Sequence, residues 1–573
     1  MATFVRSPAV FVSALVVTGF RNLDGLIPLC EPLAVLLGEN NAGKSSVIDA
    51  LRLLFTPETG PRGRKWITEQ DFRHDPAGVR TTDVLELEAQ LTGLTAEEQA
   101  RMVTCLASSL GAGCARLRLR ATRRTTGRVD VEWFGGDSQH SEVEAWAREA
   151  VVFTYLPALR DAAADLRPGR DNRLVGLLAA LAPVGHDDRV EIERITAEAN
   201  TALSQVGAVV EARTSIQRRL GGMTGSGGFT QHTDLAFADP RFDRIVATLR
   251  ALAGPSVPLE LAENGLGYNN LIYIAVVLAA LADNRDAALR LLLVEEPEAH
   301  LHPQLQDLLM RYLESESGNG TQVVLSSHSP NLASAARVER VTVMIGGTED
   351  SPSSARAPRE FGLGPRELGH LRRFLDATKS SLLFARGVIL VEGVAEQLLL
   401  PVLADRLGRP LPRHGVAVIN VGGVAFAPFI GLFGPDRLPC RCVVLSDADP
   451  PAAGPDIAED PPDMSARASA LFGMQSDTLR VRLARRTLEW DLAAAGNWKV
   501  LVTALLPIKP RVAARLATEL VALGDEERAD RILAAIADVK GRFAQELAAI
   551  IEIPDVEFHV PQYIRESVEW VTP

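Results

Sequence analysis

A phosphate-binding motif lies near the start of the chain. Residues 38–45 read GENNAGKS, which fits the pattern G-x-x-x-x-G-K-[ST], between a strand-like LAVLL and a helical SVIDALRLLF. In this pattern the glycines let backbone N–H groups wrap phosphate oxygens, the lysine neutralises the β- and γ-phosphates, and the serine binds Mg²⁺. The sequence therefore predicts a site for ATP with Mg²⁺, formed by Gly38, Asn40, Asn41, Gly43, Lys44, Ser45 and Ser46.

Two later stretches carry groups that suit the same nucleotide. The apolar run LRLLLVEE at 289–296 ends in two acids, of which Glu295 is predicted to hold Mg²⁺ and Glu296 to polarise the attacking water. The next predicted strand, in VVLSSHSP, ends at His328, where a γ-phosphate contact is needed. These residues extend the predicted nucleotide site beyond the first motif.

A glycine pair precedes the acids. ENGLGYNN at 263–270 opens a long helix, so Gly265 and Gly267 would present amide groups to a phosphate. A plain helix cap is the alternative explanation. Gln70, in TEQDF, is a candidate for a Q-loop glutamine, although a plain surface turn explains it more simply.

Carboxylates in the second half of the chain have the spacing of a metal site. The strand-like GVILVEG ends in Glu392, with Glu396 one helical turn later, and CVVLSDAD ends in Asp447 and Asp449. Parallel strands bring their carboxyl ends to one edge, and hard oxygen ligands select Mg²⁺ or Mn²⁺. Such a site suits phosphodiester chemistry. Ordinary helix caps and turns are the alternative.

The elements needed to position these residues predict an α/β protein. A nucleotide-binding α/β unit spans 1–157 and 229–346, and a helical insertion at 158–228 interrupts it. The Gly-, Pro- and Ser-rich segment at 347–378 is predicted to be a linker. A second α/β unit with a helical tail occupies 379–573. The insertion offers apolar surface for pairing with a second copy.

Composition excludes several classes of protein. The longest apolar run, Leu271–Ala282, has twelve residues, and a membrane-spanning helix needs about 20. Five cysteines without a CxxC pair argue against a zinc ribbon or a disulfide framework. The net charge of −12 shows that any contact with DNA must come from local patches, such as the alternating Arg116, Arg118 and Arg120. A solvated outer face of a sheet is the alternative for those arginines.

The first constellation resembles the ABC-type ATPase head of the SMC and RecF class, in which a Walker B acid pair, a D-loop and an H-loop histidine follow in this order. That class usually has Asp-Glu where this chain has Glu295 and Glu296. The longer first acid makes hydrolysis a weaker expectation than binding. The order strand-Glu, VGG at 421–423 and strand-DxD resembles the Rossmann-like TOPRIM domain of topoisomerases, primases and some nucleases.

Together the two units are similar to the OLD (overcoming lysogenization defect) nuclease family, which includes the nuclease subunit of Gabija anti-phage systems. The similarity covers nearly the whole chain. Its most specific stretches are YLPALRDAAADLRPGRDNRL, VEEPEAHLHPQLQ, LDATKSSLLFARGVILVEGVAEQLLLP, TLEWDL, VKGRFAQELA and VPQYI.

The resemblance implies roles for particular residues. It implies metal ligation by Glu392, Glu396, Asp447 and Asp449. Lys540 in KGRFAQ would stabilise the pentacovalent transition state, and Glu489 in TLEWDL would serve a second metal. An exposed acid on a helix is the alternative for Glu489.

The expected function is a metal-dependent DNA endonuclease, regulated by an ATP-binding head and acting in anti-phage defence. Expected partners are DNA, a second copy or a larger homo-oligomer, and a helicase-type protein, and the expected location is the cytoplasm, without a membrane. A topoisomerase needs a tyrosine on a separate gate domain, for which the chain has no room, and a primase would need a zinc ribbon. An ATP-driven DNA-binding switch or repair factor of the RecF or SMC type, without cleavage activity, is the alternative.

Overall fold

The structure is a computed structural model of the full chain. It describes residues 10–55, 67–75, 77–138, 142–158, 165–169, 172–224, 231–254, 257–282, 287–318, 320–348, 351–423, 425–448 and 465–572. Within this described part of the chain, every helix is too short or too polar to span a bilayer.

The N-terminal half contains a five-stranded antiparallel sheet. Strand order is β2-β1-β4-β5-β6. The strands are β1 (Phe11–Phe20), β2 (Leu23–Pro28), β4 (Val84–Thr92), β5 (Ala115–Arg123) and β6 (Val129–Gly135). In β4 apolar and polar residues alternate, so every second side chain is buried against the core, as a sheet with one wet face requires.

The outer face of this sheet holds the alternating arginines of β5. Arg116 and Arg118 each pair with Glu88, at 3.0 and 3.7 Å, and Arg120 pairs with Glu86 at 3.0 Å. Acids on the neighbouring strand therefore neutralise these arginines. They do not form a free basic patch, and because Arg118 is buried, a fully solvated outer face does not describe them either.

A six-stranded sheet lies behind the first one and carries the nucleotide motifs. Its order is β13-β12-β3-β11-β10-β7, parallel except for β13 at the edge. The strands are β3 (Leu33–Leu37), β7 (Val151–Leu156), β10 (Leu289–Glu295), β11 (Thr321–Ser327), β12 (Val341–Ile345) and β13 (Ser354–Arg356). Helix Lys44–Phe55 packs between the two sheets, because its leucines join one core with both of them.

The helical insertion forms few buried contacts. Helices Arg173–Leu181, Asp187–Ser204 and Gly207–Thr224 bury none of their side chains. Helix Phe242–Val246 and Ala182 supply a small cluster that packs against the first two of these helices. The helical part therefore extends beyond residue 228, where the sequence predicted its end, and a two-stranded ribbon of β8 and β9 (Leu252–Ala253 and Leu259–Glu260) follows.

The C-terminal unit is built on a four-stranded parallel sheet. The order is β15-β14-β16-β17, with β14 at Gly387–Val391, β15 at Val416–Asn420, β16 at Arg441–Asp447 and β17 at Leu479–Ala484. Its helices include Val394–Arg406, Ala427–Ile430, Ala466–Phe472, Leu488–Leu492, Trp498–Leu505, Pro510–Glu519, Asp525–Ile536, Lys540–Ile551 and Gln562–Val571. The mixed α/β fold with two units agrees with the sequence prediction.

The segment 347–378 is not an open linker, contrary to the prediction. Its residues Ser354–Arg356 form β13, which pairs with β12 in the sheet of the head, and Pro365–Phe374 form a helix. The Gly and Pro content marked turns at the ends of these short elements. Composition alone cannot distinguish such turns from a flexible connection.

One hydrophobic core joins the head to the C-terminal unit. Leu33 and Leu325 of the head belong to the same buried cluster as Leu371 of the segment above and Val388 of β14. Arg372 also pairs with Glu339 across this junction. The two units therefore share packing as well as a chain connection.

Within the described residues, the other α-helices of the head are Ala96–Arg101, Ala145–Glu149, Leu266–Ala282, Pro303–Glu316 and Pro330–Ala335.

Candidate functional site

The phosphate-binding loop is folded around its own lysine. Lys44 is 7% exposed, and its Nζ donates to the backbone oxygens of Gly38 at 2.7 Å and Glu39 at 2.8 Å. Burial lowers the pKa of this ammonium group. Gly43 has φ +97°, and a Cβ there would meet Leu23 at 2.6 Å, so only glycine suits this turn. In this arrangement the Lys44 ammonium group can exchange its two carbonyl partners for the oxygens of a bound phosphate.

The flanks of the loop are tied to an asparagine that sequence reasoning missed. Asn22 donates through Nδ2 to the backbone oxygen of Asn41 at 3.1 Å, and its Oδ1 accepts from Ser46 at 3.4 Å. Asn41 has φ +63°, in the left-handed region that Asn tolerates. Asn40 is exposed next to it. Asn22 therefore connects the middle of the loop, at Asn41, to the residue that follows it, Ser46.

The two predicted magnesium ligands of the head lie together. Ser45 hydrogen-bonds to Glu295, and Tyr155 donates through its hydroxyl to Glu295 Oε2 at 3.3 Å. Burial and the nearby Asp49 raise the pKa of Glu295, while burial and Glu295 raise the pKa of Tyr155 to about 12. Two oxygen donors at a buried, negatively charged point fit a divalent ion. Tyr155 begins YLPALRDAAADLRPGRDNRL, one of the stretches that resemble the OLD family, but the sequence predicted no role for it.

The second acid and the histidine also meet. His328 Nδ1 lies 3.2 Å from Glu296 Oε1, and Glu296 adopts φ +44°. Glu298, which is 7% exposed, accepts from Ser327 Oγ at 2.5 Å and from the backbone N–H of His328 at 3.2 Å. Glu298 therefore orients the histidine loop. Sequence reasoning missed it because its partners come from a strand about 30 residues later.

Gly265 and Gly267 lie at the start of helix Leu266–Ala282. A Cβ on Gly267 would come within 2.6 Å of the backbone oxygen of His300, whereas a Cβ on Gly265 would meet open space. Gly267 is thus required for the helix to approach the loop that follows Glu296. Gln70 is exposed on the short turn Glu69–Asp71.

Glu392 is the centre of a polar network in the C-terminal unit. It follows β14, and the parallel register with β16 places it beside Ser446, whose hydroxyl donates to it. The backbone N–H of Asp447 donates to Glu392 Oε1 at 3.3 Å, and Arg467 Nη2 donates at 2.9 Å. Ser446 and Arg467 were missed by sequence reasoning. Arg467 balances one negative charge of the site.

Asp447 lies in surroundings that oppose its ionisation. Burial is the main cause, and the neighbouring carboxylates Glu392 and Glu396 add to it, so that the pKa of Asp447 is raised to about 8. Burial and the charges of Glu489 and Glu392 also raise the pKa of Glu396. These carboxylates are therefore close enough to repel one another. A cation at this position would relieve that repulsion.

Lys540 and Glu489 form an ion pair next to these acids. Their Nζ and Oε2 atoms are 3.1 Å apart, and the side chain of Glu489 is only 3% exposed. The alternative of an exposed acid on a helix is therefore wrong for Glu489. Tyr563, also missed, lies near this cluster, where burial raises the pKa of its hydroxyl well above the usual value.

Asp449, the fourth predicted metal ligand, lies outside the described residues. Among the residues that are described, no three acids, cysteines or histidines converge at the distances of metal ligands. The donors nevertheless fit a hard cation, because they are carboxylates held at one sheet edge with raised pKa values. The described carboxylates therefore lie near one another but do not form a complete set of metal ligands.

Comparisons with known proteins give matches in the regions that contain both sites. Residues 383–449 match the family described as overcoming lysogenization defect protein-like, TOPRIM domain, residues 192–333 match the AAA ATPase domain, and residues 10–107 match a family of unknown function, DUF2813. An OLD nuclease from Thermus scotoductus is 24% identical over 72% of this chain and 77% of that protein. The chain therefore carries an OLD-like TOPRIM domain and an AAA ATPase domain, and it is similar to an OLD nuclease.

Two further proteins resemble this chain. Endonuclease GajA from Bacillus cereus strain VD045 is 20% identical over 73% of this chain and 72% of that protein. A solved C-terminal region of the Burkholderia pseudomallei OLD protein is 30% identical, covers 33% of this chain and 97% of that one, and has a TM-score of 0.26. The predicted resemblance to OLD nucleases is confirmed, with an ATPase domain and a TOPRIM domain in one chain.

Proposed function

We propose that this protein is a DNA endonuclease that requires Mg²⁺ or Mn²⁺ and is regulated by ATP at its head. One observation carries the proposal. Burial, with the charges of Glu392 and Glu396 adding to it, raises the pKa of Asp447 to about 8, beside the ion pair of Lys540 and Glu489. A cluster that disfavours its own ionisation is costly to keep unless a cation binds there.

In this proposal Glu392, Glu396, Asp447 and Asp449 hold the divalent ion. When bound, the ion supplies a Lewis acid that activates water and stabilises the leaving oxygen. Lys540 places an ammonium group where charge develops on the phosphate. Its pairing with the buried Glu489 fixes that position.

The head is proposed to bind ATP with Mg²⁺ and to communicate its state to the nuclease. Lys44 would leave its carbonyl partners for the β- and γ-phosphates, while Ser45 and Glu295 would hold the metal. Glu296, paired with His328, would orient the attacking water. Gly265 and Gly267 would offer helix amide groups to a phosphate of a second protomer.

A homodimer or a larger homo-oligomer is proposed as the active assembly. Two helices of the insertion, Asp187–Ser204 and Gly207–Thr224, bury no side chains and expose Val190, Ile195 and Ile216. Such apolar surface favours self-association. A helicase-type partner, the cytoplasm as location and a role in anti-phage defence complete the proposal, the last because GajA and OLD nucleases are relatives.

The decisive experiment is conversion of supercoiled plasmid to nicked or linear DNA. Asp447→Ala removes a hard oxygen ligand, so cleavage in Mg²⁺ or Mn²⁺ is expected to fall at least about 100-fold, at tenfold for about each 1.4 kcal/mol of lost stabilisation. Asp538→Ala is the matched control, since Asp538 is an exposed acid of the same unit that pairs with Lys509. Undiminished cutting by Asp447→Ala, or wild-type cutting in EDTA, would refute the assignment of a metal-dependent nuclease to these acids, and a wild type that does not cut would favour the DNA-binding switch.

A further inference from the structure

An arginine of the nuclease unit reaches the nucleotide-binding loop of the head. Arg386 immediately precedes β14, yet its Nε lies 2.9 Å from Glu39 Oε1 and its Nη2 lies 2.9 Å from Glu39 Oε2. Glu39 is the second residue of the phosphate-binding loop, and its backbone oxygen accepts from Lys44. This two-pronged ion pair joins residues 347 positions apart in sequence.

The pair forms part of the wall of a cavity beside the phosphate-binding loop. The cavity has a volume of about 570 Å³ and is lined by Asn22, Glu39, Asn41, Gly347 and Arg386, among others. A nucleotide held by the loop would extend along this wall. Arg386 therefore lies where an anionic ligand arrives, and a guanidinium group is well suited to bind phosphate with two parallel hydrogen bonds.

The pair is weak enough to be exchanged. The side chain of Arg386 is 73% exposed and that of Glu39 is 39% exposed, and ion pairs with such exposure stabilise a structure little. Glu39 also carries the same charge sign as the incoming phosphates. Arg386 can thus neutralise Glu39 in the empty loop and turn towards the nucleotide in the filled loop.

Arg386 is firmly connected to the nuclease site. Its backbone N–H donates to Gly415 at 2.9 Å, and the next five residues form the fully buried strand β14, which leads directly to Glu392. The preceding turn, Lys379–Phe384, packs against the helix Pro330–Ala335, which begins two residues after His328. Two neighbouring contacts therefore join the nucleotide site to the start of β14.

We propose that Arg386 is a nucleotide-site residue supplied by the nuclease unit, through which the occupancy of the head changes cleavage at Glu392 and Asp447. The proposed effect of Arg386 on cleavage rests on the proposed nuclease function. The proposed contribution of Arg386 to nucleotide binding rests only on the cavity and the ion pair.

The first measurement is the affinity of the full chain for a fluorescent ATP analogue with Mg²⁺. Arg386→Ala is expected to weaken binding about fivefold, because it leaves Glu39 unneutralised beside the phosphates and removes a phosphate donor. Arg386→Lys keeps the positive charge but lacks the two parallel donors of the guanidinium group. Its affinity is expected to lie between those of the wild type and Arg386→Ala. Arg311→Ala is the matched control, since Arg311 is an exposed head arginine paired with Asp307, and it is expected to bind as the wild type does. Unchanged affinity of Arg386→Ala would overturn the proposal.

The second measurement is the ratio of plasmid cleavage rates with and without ATP. In the wild type this ratio is expected to differ from one, and in Arg386→Ala it is expected to move towards one, while Arg311→Ala keeps the wild-type ratio. A wild-type ratio of one, or the same ratio in Arg386→Ala, would refute the regulatory half. A wild type that never cleaves would defeat the proposed nuclease function, and the affinity measurement would still decide whether Arg386 belongs to the nucleotide site.

Discussion

Metal binding at the nuclease site is expected to be strongly pH-dependent. Without metal the pKa of Asp447 is about 8, because the group is buried beside other carboxylates. A ligand must be ionised before it can bind a cation, so binding releases the proton. At pH 7 only about a tenth of the sites carry the ionised Asp447, and at pH 6 only about a hundredth.

The sign of the effect follows from the direction of the shift. The raised pKa means that affinity for Mn²⁺ increases with pH, about tenfold per unit below pH 8, and levels off above it. The metal-free protein shows the opposite trend. Its folded state binds this proton more tightly than an unfolded chain does, so its stability falls as pH rises from about 4 to about 8.

Calorimetric titration of the nucleotide-free protein with Mn²⁺ at pH 6, 7 and 8 tests this expectation. Two buffers with different ionisation enthalpies give the number of protons released, which is expected to be close to one at pH 7. Asp447→Asn is the control, because it keeps the size of the side chain and removes the titrating group. Affinity that is the same from pH 6 to pH 8, with no proton released, would refute the reasoning.

Two other predictions follow from the described contacts. Lys540→Ala is expected to keep Mn²⁺ binding in the same titration but to cut plasmid at least about 100-fold more slowly, since the ammonium group that meets the charge developing on the phosphate is lost. The same variant should lose about 1–3 kcal/mol of stability in denaturant unfolding, because the buried Glu489 loses its partner; a wild-type cleavage rate would contradict the role of Lys540. Light scattering at micromolar concentration is expected to give at least twice the chain mass of 61.7 kDa, and a strict monomer with and without ATP would contradict the proposed assembly.

Local sequence order predicted which residues of the head lie close together. The loop that contains Lys44, the acid Glu295 and the histidine His328 all follow strands of one parallel sheet, so motif order and the convergence of strand ends were sufficient. Glu392 and Asp447 followed by the same logic. Their neighbouring strands bring them to one edge of the second sheet.

The missed features depend on contacts between distant residues. For Glu489 an exposed acid on a helix was the alternative explanation, yet the residue is buried against Lys540, 51 residues later. The short strand Ser354–Arg356 was hidden in a segment rich in Gly and Pro, since three residues carry too little periodicity to be recognised. Tertiary packing decided both cases.

The shared core has a consequence for the geometry of cutting. A nuclease unit on a flexible tether would reach DNA at variable distances from its head. Here Leu371 and Val388 pack in one cluster with the strands of the head, so the position of the nuclease site follows that of the head. In the proposed homodimer, the spacing of the two sites along DNA would then be set by how the heads dock. The distance between two cuts would be a fixed property of the assembly, and the length of the connecting segment would have little influence on it.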